Sequence, residues 1–115
     1  MSFNNAELER IDATLGAFLR REQPPVEVRT QLDYAYTISG RSVQLHEVRP
    51  RYNDATKKMI NPFARATHAK ARDVWRVYWL RADLKWHSYE PDPIVATLGD
   101  FLALVKEDKY SCFYG

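Results

Sequence analysis

Residues 74–90, VWRVYWLRADLKWHSYE, contain two runs in which apolar and polar side chains alternate. Such alternation is typical of half-buried β-strands, and the break in the pattern at Ala82 and Asp83 predicts a tight turn. If the two strands pair across that turn, Trp79 lies opposite Trp86. Because alternate side chains of a strand point to opposite faces, the stretch predicts a hairpin with its indole rings on one side of a sheet.

The preceding part of the chain predicts three further strands. Residues 32–38 alternate in the same way, and the alternation resumes over 43–46 after a Ser-Gly turn. Proline lacks an amide donor, so Pro50 is expected to close the second strand or to place it at a sheet edge. The polar run 53–58 is typical of an exposed loop, and residues 63–71 are expected to form the third strand.

Two segments outside the strands have the three-to-four residue apolar spacing of amphipathic helices. The first covers residues 5–21 and is expected to end before Pro24, because proline disfavours helix at its own position and at the residue before it. A short second helix is expected over 26–32. The last helix is expected to begin after Thr97, whose hydroxyl can accept a backbone hydrogen bond at a helix start.

These elements predict an α+β fold in a single domain, residues 1–115. The expected architecture is an antiparallel meander of about five strands with the N-terminal and C-terminal helices packed on one face. The face that the helices cover is expected to carry Leu32, Tyr34, Tyr36, Val43, Leu45, Trp75, Val77, Trp79, Leu84 and Trp86. Neither a membrane span nor a signal peptide is predicted, so a cytoplasmic protein is expected.

Charge is distributed unevenly along the chain, although the net charge is only +2. Residues 41–89 contain eleven Lys and Arg against four Asp and Glu, whereas the remainder is acidic. A basic middle segment is typical of a surface for nucleic acid or another anion. It is equally compatible with acidic helices that pack on a basic sheet of the same molecule.

The opposite face of the sheet is predicted to be basic and aromatic. It is expected to carry Gln44, His46, Arg76, Tyr78, Lys85, His87 and Tyr89, joined by His68 and Lys70 if the third strand has the matching phase. Aromatic rings stack on exposed bases while Lys and Arg neutralise phosphates, which is how sheet domains hold single-stranded nucleic acid. A solvated face, or a face that binds a protein partner or a second copy of the chain, is the alternative.

The run EVRPRY, residues 47–52, places Arg49 and Arg51 beside a rigid proline. Two guanidinium groups separated by one residue can bind a phosphate or a carboxylate. The alternative is a pair of internal salt bridges to acidic residues of the helices.

Two arrangements of residues would indicate an enzyme or a metal-binding protein instead of a simple binding module. Asp33 followed by Glu47 and Arg49 resembles the acidic motif of metal-dependent nucleases, but a regular hairpin leaves the two carboxylates on opposite faces. A metal site would require His46, His68 and His87 to converge, and none of them has a short-spaced ligand partner. No cofactor is predicted.

The segments EVRPRY, VWRVYWLRADLKWHSYEP (74–91) and FLALVKEDKYSCFYG (101–115), with Pro24 and Pro25 before them, resemble a family of small bacterial proteins catalogued as domain of unknown function 3024. The resemblance spans nearly the whole chain and implies a stand-alone single-domain protein. It brings no activity, cofactor or site.

The sequence is best interpreted as a non-enzymatic binding module with nucleic acid as the most testable ligand. A protein-interaction or homodimerisation module is the first alternative, and a nuclease-like enzyme is the second. The residues expected to bind the ligand are Arg49, Arg51, Arg76, Tyr78, Lys85, His87 and Tyr89.

Overall fold

Helix α1 spans Asn5–Glu22 in the computed structural model, which describes residues 2–29 and 31–114. The Asn4 side chain accepts a hydrogen bond from the amide of Glu7 at 2.8 Å, and the Glu7 carboxylate accepts one from the amide of Asn4 at 3.0 Å. This reciprocal pair satisfies two donors that a helix start leaves free. The helix ends at Gln23, before the two prolines, so the prediction is confirmed.

The segment after α1 forms turns where a short helix was expected. The amide of Val28 donates to Pro25 and that of Gln31 donates to Val28, and the described residues between 23 and 32 contain no helix. Val26 is 70% exposed, so the segment offers no apolar stripe whose packing could offset the entropic cost of starting a helix. The predicted short helix was wrong.

The strands form one antiparallel sheet in the order β1-β2-β3-β4-β5, with β6 paired to the same edge of β4 as β5. Their bounds are Asp33–Ser39, Ser42–Arg51, Asp54–Ala69, Val74–Leu80, Trp86–Ser88 and Ile94–Val95 for β1 to β6. Helix α2 follows at Leu98–Glu107, with the Thr97 hydroxyl accepting from the amide of Asp100. The chain is therefore an α+β meander with a helix near each end, as predicted.

Both helices pack on one face of the sheet, which we call the covered face. Tyr36 on β1 donates its phenol to Asp12 of α1 at 2.9 Å, and Phe3 contacts the ring of Trp75 on β4. The core between these layers contains Leu15, Phe18, Val43, Leu45, Ala64, Ala66, Val77, Phe101, Leu102 and Val105. Among the described residues, neither helix has the length and apolar content needed to cross a membrane.

Strand β3 is far longer than predicted, because the expected loop at 53–58 contributes to it. β2 and β3 pair beyond the point where β1 and β4 end, and both prolines of these strands lie in that region. Pro50 pairs with Lys58 where β2 has lost its β1 neighbour, and Pro62 lies where β3 has no β4 partner. A missing amide is tolerated there because one edge of each strand is free.

The hairpin of β4 and β5 is displaced by one residue from the predicted register. Trp79 pairs with His87 and Leu80 pairs with Trp86, because the loop is longer than two residues and Leu84 adopts a left-handed φ of 62°. A slip of one residue moves every side chain of a strand to the other face. The predicted inward positions of Leu84 and Trp86 were therefore wrong, since Leu84 lies exposed in the turn and Trp86 shares the face of Leu80.

Candidate nucleic-acid interface

The face of the sheet opposite the helices is polar in its centre. By strand parity and pairing, this open face carries Thr37, Ser42, Gln44, His46, Arg65, Thr67, Arg76, Tyr78, Leu80, Trp86 and Ser88. Gln44 pairs with Arg65, which in turn pairs with Tyr78, so the three side chains form a row across three strands. The face therefore combines cations, hydroxyls and aromatic rings, and neither described helix lies above them.

Arg65 occupies the middle of the open face. Its guanidinium carbon lies 6.0 Å from the centroid of the Tyr78 ring, and its Nη2 donates to the hydroxyl of Ser42 at 3.3 Å. That hydroxyl also bonds Thr67 at 2.7 Å. These contacts hold the planar guanidinium of Arg65 over the ring of Tyr78, where a ligand can contact both groups.

His46 is buried beside this row. Its Nε2 lies 2.9 Å from the Thr37 hydroxyl, and burial lowers the pKa of the imidazole. The Nδ1 of His46 and the Nε of Arg65 are buried without a hydrogen-bond partner. Unpaired polar atoms are costly inside a protein, so two of them near the centre of one face distinguish it from an ordinary solvated sheet surface.

The paired part of β2 and β3 that extends past the end of β4, from Glu47 to Asn61, forms an arm. Its first two β2 residues, Glu47 and Val48, still pair with β1, and the arm is two-stranded beyond them. Its exposed side chains include four cations and three large apolar or aromatic groups, namely Arg49, Arg51, Lys57, Lys58, Tyr52, Met59 and Ile60. Arg49 bonds Glu47 of the same strand at 3.2 Å, which is not one of the salt bridges to helix residues considered above. The arm was not predicted, because its polar residues are typical of a loop.

The base of the arm is fixed by a small aromatic cluster. Phe63 occupies an irregularity in the pairing of β2 and β3, and its ring lies 6.1 Å from Tyr34 and 5.1 Å from Tyr114. The carboxylate of Asp108 accepts from the amides of Phe113 and Tyr114, which holds the C-terminal segment there. A bulge with a bulky anchor bends a strand, and it marks where the arm leaves the sheet.

The structure brings together some of the predicted ligand-binding residues and separates others. Arg76 and Tyr78 lie on the open face with Gln44 and His46, as expected. Arg49 and Arg51 lie on the arm, apart from that face. Lys85 lies exposed in the turn before β5.

His87 and Tyr89 have the parity of the covered face, so their predicted position was wrong. His87 pairs with Trp79, and its Nε2 lies 2.8 Å from the Asp83 carboxylate. Tyr89 is buried against Phe113, with ring centroids 4.9 Å apart. Both errors have one cause, the one-residue shift of the hairpin, which exchanges these side chains for Trp86 on the open face.

Arg65 and Thr67 are residues of the open face that the sequence analysis missed. The phase of β3 could not be fixed because alanines flank them and give a weak alternation. The signal was present, since small residues at 64 and 66 alternate with polar ones at 65 and 67. β3 does not have the phase that would place His68 on the open face. His68 lies on the covered face, where it pairs with Trp75. Lys70 lies beyond the end of β3.

The acidic pair considered for a nuclease lies on different faces of the hairpin. Asp33 pairs with Val48 and Tyr34 pairs with Glu47 in a register without a bulge, so the two carboxylates point apart. Asp33 instead accepts hydrogen bonds from Gln23 and from the amide of Tyr34. This geometry does not place two acids around one metal ion, and we carry the nuclease hypothesis no further.

The three histidines considered for a metal site have separate environments. His46 is on the open face, whereas His68 and His87 are on the covered face and bond Asp73 and Asp83 respectively. Within residues 2–29 and 31–114, no group of three or more His, Cys, Asp or Glu side chains is placed to hold a metal.

A charged cluster that the sequence did not indicate joins α1 to the end of β3. Asp73 bonds the Nε2 of His68 at 2.8 Å, the guanidinium of Arg41 bonds the Nδ1, and Glu7 lies 3.5 Å from Arg41. Because arginine only donates, the Nδ1 of His68 must accept and the proton belongs on Nε2, facing Asp73. The backbone amide of Asn4 and then Arg41 hold the pKa of Glu7 below its ordinary value. An adjoining cavity of about 200 Å³ is lined by Glu7, His68 and Asp73 of this cluster and by Arg10 and Thr14 of α1.

Comparison with known proteins gives the family of the chain. No curated protein matches it, and no solved structure matches it. The segments noted above for their resemblance lie on the arm, on the β4–β5 hairpin and on α2, so they involve both faces of the sheet. The family model for Domain of unknown function (DUF3024) matches residues 3–115, and the chain belongs to this family.

Proposed function

We propose that the chain binds single-stranded nucleic acid on the open face. The observation that carries the proposal is the meeting of two guanidinium groups, a phenol and an indole on a sheet face that neither described helix covers. These groups belong to Arg65, Arg76, Tyr78 and Trp86. Trp86 replaces the imidazole and phenol that the sequence analysis had placed there, and indole offers a larger surface for stacking.

The spacing of the two rings favours a single strand. Tyr78 pairs with Ser88 and Leu80 pairs with Trp86, which makes Tyr78 and Trp86 diagonal neighbours across β4 and β5. Diagonal neighbours are roughly 7–8 Å apart. That distance is wider than the roughly 3.4 Å between stacked bases of one duplex strand. A strand whose bases are splayed apart can place one base on each ring.

The cations have a complementary role. Arg76 is exposed next to Tyr78 on β4, and Arg65 lies across the same ring from β3. Guanidinium groups beside a stacking surface bind the phosphates that link the stacked bases. We infer sequence-tolerant binding with a strong dependence on salt, because the open face offers general stacking and charge contacts.

Fluorescence anisotropy with a labelled oligonucleotide of about 12 nucleotides tests the proposal. At about 50 mM salt the wild-type chain is expected to bind, and Arg76→Ala combined with Tyr78→Ala is expected to weaken binding by at least about 10-fold, since one stacked base is worth 1–3 kcal/mol. The matched control is Arg20→Ala with Tyr110→Ala, which removes one cation and one exposed phenol elsewhere. The control should bind as the wild type does.

The alternative occupants of the open face give different results. An absence of binding at low salt, or an equal loss in the control, contradicts the proposal. Sedimentation analysis then decides the main alternative: a dimer that dissociates when Arg76 and Tyr78 are replaced would identify the face as a self-association surface.

A further inference from the structure

Beyond Val48 only β2 and β3, among the described strands, continue along the arm. β1 ends opposite Val48, and β4 pairs with β3 only as far as Ala64. Three residues of β2, Arg49 to Arg51, lie between Val48 and the tip at Tyr52. At about 3.3 Å per residue the tip lies roughly 13 Å beyond Val48. Over this distance the arm is a ribbon two strands wide, and neither of its outer edges pairs with another described strand.

The composition of the arm is not explained by protection of a sheet edge alone. Lysines and proline on an exposed strand prevent pairing with other chains, which accounts for Lys57, Lys58 and Pro50. Edge protection does not account for the exposed apolar groups of the arm. Tyr52 at the tip is fully exposed and Ile60 is 63% exposed. Exposed apolar groups on a projecting element are typical of an interaction site, and the surrounding cations favour an anionic partner.

The only acid between residues 49 and 61 is directed back toward the chain. The Asp54 carboxylate accepts from the amide and the hydroxyl of Thr56, at 3.0 and 2.6 Å, and these bonds lower the pKa of Asp54. The carboxylate therefore braces the tip of the arm. The cations Arg51, Lys57 and Lys58 remain exposed around it.

We propose that the arm is a second binding site, which enters the major groove of double-helical DNA. The major groove of B-form DNA is about 12 Å wide and 8.5 Å deep, and it admits a two-stranded ribbon. A ribbon whose strands are about 4.8 Å apart fits this width with its side chains, and its length exceeds the groove depth. The cations along its sides contact the two phosphate backbones, and Tyr52 reaches the base edges.

The arm is expected to discriminate between duplexes. A-form RNA has a major groove too deep and narrow for side chains to read. The same ribbon should therefore bind duplex RNA more weakly than duplex DNA of equal length. This inference depends on the arm alone, and the open face has no part in it.

The test measures binding of the full chain to a labelled DNA duplex of about 20 base pairs. The triple variant Arg51→Ala, Lys57→Ala and Lys58→Ala is expected to bind at least about 10-fold more weakly. The slope of log affinity against log salt should become shallower by about 0.9 for each lost phosphate contact. The matched control, Arg20→Ala with Arg21→Ala and Lys109→Ala, removes three exposed cations outside the arm and should retain both affinity and slope.

Tyr52→Ala provides an independent second variant. It should weaken duplex binding while leaving the salt slope unchanged, because it removes no charge. The replaced side chains of the arm are exposed, so both arm variants should keep the wild-type circular dichroism spectrum and midpoint of thermal unfolding.

The outcomes separate this inference from the function proposed above. Binding to single strands without binding to duplex DNA overturns the role of the arm and leaves the open face intact. Duplex binding that the arm variants retain, or an equal loss for single strands and duplexes, also overturns it. Duplex binding that is lost only in the arm variants, with no single-strand binding at all, supports the arm and contradicts the open face.

Discussion

The two faces of the sheet are built from the same strands but have opposite physical properties. On β2, Leu45 is fully buried beneath the helices, whereas its neighbour Gln44 points to the open face beside Arg65. On β4 the same contrast separates Val77 from Tyr78. Stability can therefore come from one face while the other keeps polar and aromatic groups available for a ligand.

The largest expected effect tests this division directly. Leu45→Ala should lower the free energy of unfolding by about 2–5 kcal/mol, because it leaves a cavity in a closely packed layer. Gln44→Ala, one residue away, should change it by less than about 0.5 kcal/mol. Denaturant unfolding followed by tryptophan fluorescence measures both variants. Similar losses in the two variants would mean that the open face is packed as tightly as the covered one.

The sequence was sufficient for elements with strong local signals. The prolines at 24 and 25 end α1, and the Gly40 turn, with φ at 59°, sets the β1–β2 register in which Tyr36 pairs with Leu45. Alternation predicted the covered face of both strands correctly, although it did not by itself fix which residues pair. Local chemistry determined the geometry in each case.

The remaining features depended on interactions that a single sequence does not display. The arm lacks the alternation of apolar and polar residues because neither of its faces packs against a core. Its sequence therefore predicts a loop although the two strands pair. The β4–β5 loop contains a left-handed leucine, a conformation that favours glycine and that no residue type signals. That one residue moved Trp86 onto the open face and His87 and Tyr89 off it.

The second prediction concerns the buried imidazole of the open face. Because burial lowers the pKa of His46 below its ordinary 6.5, the unfolded chain binds a proton more readily than the folded one. Stability from this group is complete above pH 6.5 and is lost as the pH falls below it. Each unit of pKa difference between the folded and unfolded states corresponds to about 1.4 kcal/mol of stability.

Urea unfolding of the wild type and of His46→Gln between pH 8 and pH 5 isolates this effect. Glutamine can still bond the Thr37 hydroxyl but does not titrate, and the other two histidines are common to both chains. The wild type should lose more stability on acidification than the variant. If the free energies of unfolding of the two proteins change in parallel with pH, His46 is not held neutral by burial. The centre of the open face would then resemble an ordinary solvated surface.

The smallest expected effect tests the loop that distinguishes the observed hairpin from the predicted one. Leu84 is 80% exposed, so Leu84→Gly removes few apolar contacts. A left-handed conformation costs an L-residue roughly 1–2 kcal/mol, and the greater freedom of glycine in the unfolded chain offsets about half of the relief. The variant should be more stable than the wild type by about 0.5 kcal/mol.

Ala82→Gly is the matched control, because Ala82 is exposed in the same loop and has no positive φ. It should be less stable than the wild type by about 0.5–1 kcal/mol, since only the unfolded state gains freedom. Opposite signs for the two glycine variants in thermal unfolding support the long loop. If both variants destabilise the chain equally, position 84 has no left-handed conformation. The predicted two-residue turn, which places Trp86 beneath the helices, would then describe the hairpin better.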